Sequence, residues 1–248
     1  VIFALLIEKA NLHPAISIPL ILLIGATFGA TMGAVIQFFA LPPFLVTLAG
    51  MFFARGLAYV LKLESIPINR FLDRIADTLH VPLGAKLDIP ATALIFLVVF
   101  AIALWIAHYT RFGRNIYAIG GNEQSAILMG LPVARTKVAV YAVSGLCSAI
   151  AGIVYSLYTF SGNPNAGGGL ELDAIAAVVI GGTLLSGGVG YVAGTLIGVL
   201  IFGIIQTALS FEGTLSSWWT RIAIGLLLLL FILLQKLIQA KKFRTAKA

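Results

Sequence analysis

The chain has 248 residues, 60% of them hydrophobic and only 10% charged, with a net charge of +7 and a mean hydropathy of +1.06. Soluble domains carry roughly 25% charged residues, so no aqueous fold hides this much apolar surface, and an all-α polytopic membrane protein is expected, with the bilayer as solvent. The basic excess bunches at two places that membrane topology explains, which argues against nucleic acid as a partner, and the single cysteine, Cys147, excludes an internal disulfide.

The apolar run Val1–Ile7 has no signal-peptide pattern and reads as the tail of a span that starts upstream. From Ala15 to Ala54 there is no charge, a length about twice the ~20 residues one span needs. Pro42-Pro43 divides it, because proline ends a helix and disfavours helix at the residue before it. Spans are therefore expected at about Ile16–Phe39 and Phe44–Leu61. Gly25, Gly29 and Gly33 repeat at the small-xxx-small spacing that lets helix backbones approach in lipid. Arg55, toward the end of the second span, either snorkels to the interface or faces a polar cavity.

Residues 62–90 form the longest soluble segment, where Lys62, Arg70, Arg74 and Lys86 balance Glu64, Asp73, Asp77 and Asp88. Without net positive charge this loop belongs on the periplasmic side. Phe71, Leu72, Ile75, Ala76 and Leu79 predict a short surface helix within it, and His80 has no neighbouring ligand set for a metal. A third span is expected over Ala91–His108. Residues 109–137 follow as a basic loop, with Arg111, Arg114, Arg135 and Lys137 against a single acid, Glu123, and so face the cytoplasm.

Inside that loop lies a two-turn helix, Glu123–Met129, with both ends marked. Asn122 suits the N-cap, Glu123 sits at the positive end of the helix dipole, Gly130 fits a left-handed stop, and Pro132 prevents a restart. Such an element is either an amphipathic connector resting on lipid or a docking helix for a soluble partner, with Met129 as an adaptable contact.

A fourth span is expected over Val138–Phe160, with Ser144, Ser148 and Gly152 as its close-packing face. The loop Ser161–Gly169 is too rich in Gly, Asn and Pro for regular structure, and no GxxxxGK[ST] pattern accompanies it, which excludes a phosphate-binding loop. Ala174–Leu185 gives only about 18 Å of helix, too short to cross alone. Ser186–Gly190 separates it from Tyr191–Phe211, a full span carrying Gly194 and Gly198. Short, glycine-interrupted segments usually line a pathway. Trp218 and Trp219 then mark an interface, a last span is expected over Arg221–Leu234, and the basic tail 236–248 is cytoplasmic.

Enzyme signatures, metal-spaced side chains and cofactor motifs are absent from the sequence. Glu171 and Asp173 either serve the dipole of the short helix or form a polar mouth. Thr183 and Ser186 either line a solute path or bond back to helix carbonyls. Secondary transporters need ionisable groups inside their spans. This chain has almost none, so any solute transport takes its energy from an ATPase docked on the cytoplasmic helix. The rival class is an autonomous channel or secondary transporter whose loop rests on lipid.

Three stretches carry a resemblance. Gly113–Glu123 with Gly130-Leu131-Pro132, Glu171–Gly188 with Gly194–Gly198, and Pro43–Met51 with Arg55-Gly56 resemble ribose-type sugar ABC importer permeases, over essentially the whole chain. Glu64–Asn69 and Phe211–Trp219 look like the galactofuranose branch. The resemblance implies an ABC importer transmembrane domain, with about seven membrane segments in this chain, in the bacterial inner membrane. Its partners would be a second permease subunit, a cytoplasmic ATP-binding subunit and a periplasmic sugar-binding protein. Gly121, Asn122, Glu123, Ala126, Met129 and Gly130 would form its coupling helix, and Arg55, Glu171, Asp173, Thr183 and Ser186 would line the substrate pathway. Family members carry further N-terminal spans, so the chain reads as a fragment of a single permease domain.

Overall fold

The computed structural model describes residues 1–69, 80–82, 88–184 and 187–211, together with Ile222, Gly225, Leu226, Leu229, Leu230 and Leu233. The helix expected over 71–79, the Trp218-Trp219 anchor, most of the last span, the basic tail and Ser186 lie outside the described residues. The chain forms two compact units, Val1–Val99 with Gly130–Ala166, and Phe100–Met129 with Gly167–Ala248.

The first unit is built on two long helices, α2 (Pro14–Phe38) and α7 (Val133–Tyr158), with α1 (Ile2–Glu8) and α3 (Pro43–Leu61) against α2. Proline starts both α2 and α3, where its missing N–H is not needed. His13 caps α2 by accepting the Ala15 N–H at Nδ1 (3.2 Å). The expected glycine row does hold α2 against α7. A β-carbon on Gly29 would overlap the Tyr141 carbonyl, and one on Gly25 would lie 2.6 Å from the Ala149 β-carbon. The partner face on α7 is Tyr141, Gly145 and Ala149. It is not Ser144, Ser148 and Gly152 as expected, since a β-carbon on Gly152 would meet nothing within 4 Å. The two rows are one residue apart around the helix, and only backbone proximity tells them apart.

Two short strands close one end of this unit. β1 (Ile66–Pro67) pairs antiparallel with β4 (Ser161–Gly162), and the Ile68 N–H donates to the Phe160 carbonyl at 2.8 Å. The loop expected to lack regular structure thus contributes a strand at its first two residues. The rest turns, with Gly167 and Gly169 at positive φ. Phe3, Ala4, Ile7, Ile66, Ile68 and Ile153 bury together beneath this pair. Glu8 Oε1 accepts the Asn69 N–H (2.6 Å), and the Tyr59 hydroxyl donates to Asn165 Oδ1 (2.8 Å). A second antiparallel pair joins β2 (His80–Pro82) and β3 (Asp88–Pro90).

The chain passes into the second unit within α4 (Ala91–Tyr109). There follow α5 (Arg111–Gly121), α6 (Glu123–Leu128), α8 (Leu170–Ile180) and α9 (Val192–Phe211), of which α8 and α9 pack on each other. The sequence predicts a single helix in the basic loop, and the structure adds a second, α5. Its start is fixed by Thr110, whose hydroxyl accepts the Gly113 N–H (3.1 Å) while donating to the Ile106 carbonyl (2.6 Å). The corner requires glycine at 113, where any β-carbon would run into the Ala107 and Ile106 carbonyls.

Among the described residues five helices, α2, α3, α4, α7 and α9, are long and apolar enough to cross a membrane. The expected count was about seven. Here α8 has only 11 residues, and the last expected span is largely outside the described residues. α3 and α4 have no buried residues, and apolar side chains such as Phe52 and Trp105 are more than 60% exposed. Such a surface is stable against lipid and not against water. Several hydroxyls within these helices bond back to their own carbonyls, as Thr27 does to Leu23 (2.8 Å) and Thr47 to Pro43 (2.9 Å), which satisfies them in an apolar solvent.

Candidate functional site

Three features of these units bear on function: a capped helix with an exposed apolar tip, a glycine bend with a cavity beside it, and a cavity around Arg55.

The capped helix is α6. Asn122 has extended backbone (φ −158, ψ 111) and closes two helices at once. Its N–H donates to the Ala118 carbonyl at the end of α5 (3.2 Å), its carbonyl accepts the Ala126 N–H (3.0 Å), and its Oδ1 accepts the Ser125 N–H (2.9 Å). Glu123 occupies the first turn, where negative charge meets the helix dipole. Gly130 has φ +74, the left-handed stop expected of it. Ala126 is fully buried and anchors the helix from below, whereas Ile127, Leu128 and Met129 are 56%, 88% and 66% exposed. Gly121 ends α5 directly before the cap. The six residues expected to couple therefore lie in one continuous corner of the chain. Asn122→Ala should cost about 1 kcal/mol of local stability. Amide hydrogen exchange at Ser125 and Ala126 should then quicken roughly fivefold.

The glycine bend follows α8. That helix starts at Gly169 (φ 93), whose carbonyl accepts the Leu172 and Asp173 N–H groups. Glu171 and Asp173 fall in its first turn, Glu171 exposed and Asp173 half-buried, where negative charge meets the helix dipole. α8 ends at Gly181, clamped by α9: a β-carbon on Gly198 would overlap the Ala177 carbonyl and lie 2.7 Å from the Gly181 nitrogen. The Leu184 N–H then donates to the Val189 carbonyl (3.0 Å), and Gly187 and Gly188 take positive φ. A cavity of about 460 Å³ opens here, bounded by Tyr117, Thr183, Tyr191, Thr195 and the glycines of the bend.

The third feature belongs to the first unit. Arg55 is half-buried and, among the described residues, is the one charged side chain lining a cavity of about 680 Å³. Thr47, Tyr141, Ser144, Ser148, Ser156 and Asn163 add further polar side chains to its lining, and Phe28 and Phe53 form a stacked wall with ring centroids 6.2 Å apart. Volumes of 300–1,000 Å³, apolar walls and a few polar groups are usual for small-molecule sites. Of the residues expected to line a pathway, Arg55 lies in this cavity and Thr183 in the other. Glu171 and Asp173 line neither, and Ser186 is outside the described residues. In the sequence Ser144 and Ser148 read as a helix-packing face and not as cavity lining.

Residues 1–232 match the family model described as branched-chain amino acid transport system / permease component. The chain is 52% identical to the inner membrane ABC transporter permease protein YjfF of Escherichia coli (strain K12), over 95% of this chain and 71% of that protein. It is 41% identical to the fructose import permease protein FruG of Bifidobacterium longum (strain NCC 2705), over 89% of this chain and 66% of that protein. It is also 41% identical to the ribose import permease protein RbsC of Haemophilus influenzae, over 91% of this chain and 69% of that protein. No solved structure matches it.

Proposed function

This chain belongs to the branched-chain amino acid transport system / permease component family, among the ribose-type sugar ABC importer permeases, and from that premise we propose that it is the pathway-forming subunit of an ATP-driven monosaccharide importer. It is a multi-pass protein of the inner membrane. The solute is a monosaccharide, ribose-like or galactofuranose-like, handed over by a periplasmic binding protein. A second permease subunit, identical or related, completes the pathway, and a cytoplasmic ATP-binding subunit supplies the energy. The ribose and fructose named for its relatives favour a sugar over an amino acid. So does the chemistry of the larger cavity, where one charged side chain among hydroxyls suits a neutral polyol better than a zwitterion needing charges of both signs.

The observation that carries this reading is the tip of α6. Three consecutive apolar side chains stand exposed on a helix capped at both ends and seated on a buried alanine. That is a rigid, adaptable knob for a groove on a soluble partner. ATP binding and hydrolysis in the partner would displace α6 and through it the spans, alternating access without covalent chemistry. Arg55, Thr183 and Ser186 are the candidate pathway contacts, with Glu171 and Asp173 at its mouth.

The test replaces Leu128 and Met129 together by aspartate in the full importer, reconstituted in vesicles. Retention of the ATP-binding subunit should weaken at least about 30-fold, since two anchor side chains are lost from the centre of an interface. Uptake should stop while the permease remains inserted. Retained ATPase and normal uptake would overturn the docking role. Solute accumulation by this chain with no ATPase present would establish the rival reading, an autonomous channel or secondary transporter.

A further inference from the structure

The glycine bend does not stand free in the second unit: it rests on the end of α5. A methyl group placed on Gly188 would lie 3.2 Å from the Gly120 carbonyl oxygen and 3.5 Å from the Gly121 α-carbon, and one on Gly187 would lie 3.4 Å from the same oxygen. Seen from the other side, a methyl on Gly120 would lie 3.4 Å from the Gly188 nitrogen. The two backbones therefore lie close enough that a methyl group fills the space between them and a larger side chain has to push them apart. Gly187 and Gly188, at φ +83 and +82, hold a conformation that other residues rarely adopt.

Both sides of this seat are tied to neighbouring helices. On the α5 side, Gly120 is two residues from Asn122, which bonds both to α5 through Ala118 and to α6 through Ser125 and Ala126. A displacement of α6 thus reaches Gly120 without a flexible linker. On the other side, the bend joins α8 to α9, and these two are clamped where Gly194 and Gly198 meet Gly181 and Ala177. A side chain at Gly190 would likewise meet Thr183, 2.9 Å from its methyl, so the bend is closed upon itself. A push on Gly188 is passed to the α8–α9 pair as a body, because packed backbones transmit displacement and do not absorb it.

We propose that Gly120 and Gly188 are positioning residues for transport: their backbone contact is the seat through which displacement of α6 is delivered to the α8–α9 pair. The proposal rests on the coupling role of α6 put forward above, and adds the place where its motion leaves the loop. Spatial intermediacy alone does not establish coupling, so the test reads coupling directly.

In the full importer reconstituted in vesicles, Gly120→Leu wedges the seat open while keeping a good helix former in α5. Uptake per ATP hydrolysed should fall at least about tenfold. Retention of the ATP-binding subunit and basal ATP hydrolysis should stay within about twofold of wild type, because α6 and its cap are untouched. Gly120→Ala, whose methyl makes ordinary contact, should lose no more than about twofold. Gly203→Ala, whose methyl meets nothing within 4 Å, should be unchanged. An assembled Gly120→Leu importer with wild-type uptake per ATP would overturn the seat while leaving the docking role intact. A wild-type permease that fails to hold the ATP-binding subunit would overturn both. If Gly120→Leu does not assemble, the smaller Gly120→Ser decides by the same ratio.

Discussion

Gly29→Leu should abolish the folded first unit. The β-carbon alone overlaps the Tyr141 carbonyl, and the Gly145 α-carbon lies 3.2 Å from the same point. The obstruction is backbone on both sides, so no rotamer change relieves it, and α2 and α7 must separate along the stretch where they pack. Overpacking that side chains can absorb costs about 1–3 kcal/mol. Here the loss extends to the whole interface, because in lipid close van der Waals packing replaces the hydrophobic drive between helices. Detergent-solubilised protein should lose its thermal transition and its monodisperse elution. The matched variant is Gly152→Leu, on α7 but in open space. It should melt within a few degrees of wild type, as substitutions away from packed features usually cost no more than about 0.5 kcal/mol. Equal damage from both would mean that the packing face of α7 is the serine row after all.

Gly198→Val should have the second-largest effect, through a different weakness. α8 is 11 residues long, about 16 Å of helix against a hydrocarbon core of about 30 Å. It cannot hold its place in a membrane alone and depends on α9. A side chain at 198 overlaps the Ala177 carbonyl and presses on Gly181, so α8 is pushed off its support and the bend after it loses its anchor. Cysteine-accessibility labelling at positions along α8 should rise from protected to fully reactive, and uptake should fall below detection. Gly203→Val, one and a half turns further along α9 with nothing within 4 Å, should leave both unchanged.

Much of this protein is legible in its amino-acid sequence. An almost uncharged apolar chain leaves membrane-crossing helices as the only way to satisfy its backbone, so the spans at Pro14–Phe38, Pro43–Leu61 and Ala91–Tyr109 agree with the sequence reading to within two residues. The α6 corner was legible for a local reason. Caps and stops depend on the side chain and φ of single residues, and Asn122, Glu123 and Gly130 carry them in the sequence itself.

The readings that the sequence carries alone are those that depend on solvent or on neighbours a few residues away: the bilayer as solvent, the first three spans, the capped helix and the glycine row of α2. Only the tertiary structure decided which face of α7 receives that row, that Ser161-Gly162 pairs with Ile66-Pro67 across almost a hundred residues, that Arg55 lines a cavity and that Gly188 rests on Gly120. The reason is physical. A glycine permits a close approach without naming its partner, and one-residue shifts around a helix change what is touched without changing the hydrophobic pattern. Those choices are made by backbone-to-backbone distance, which no single residue encodes.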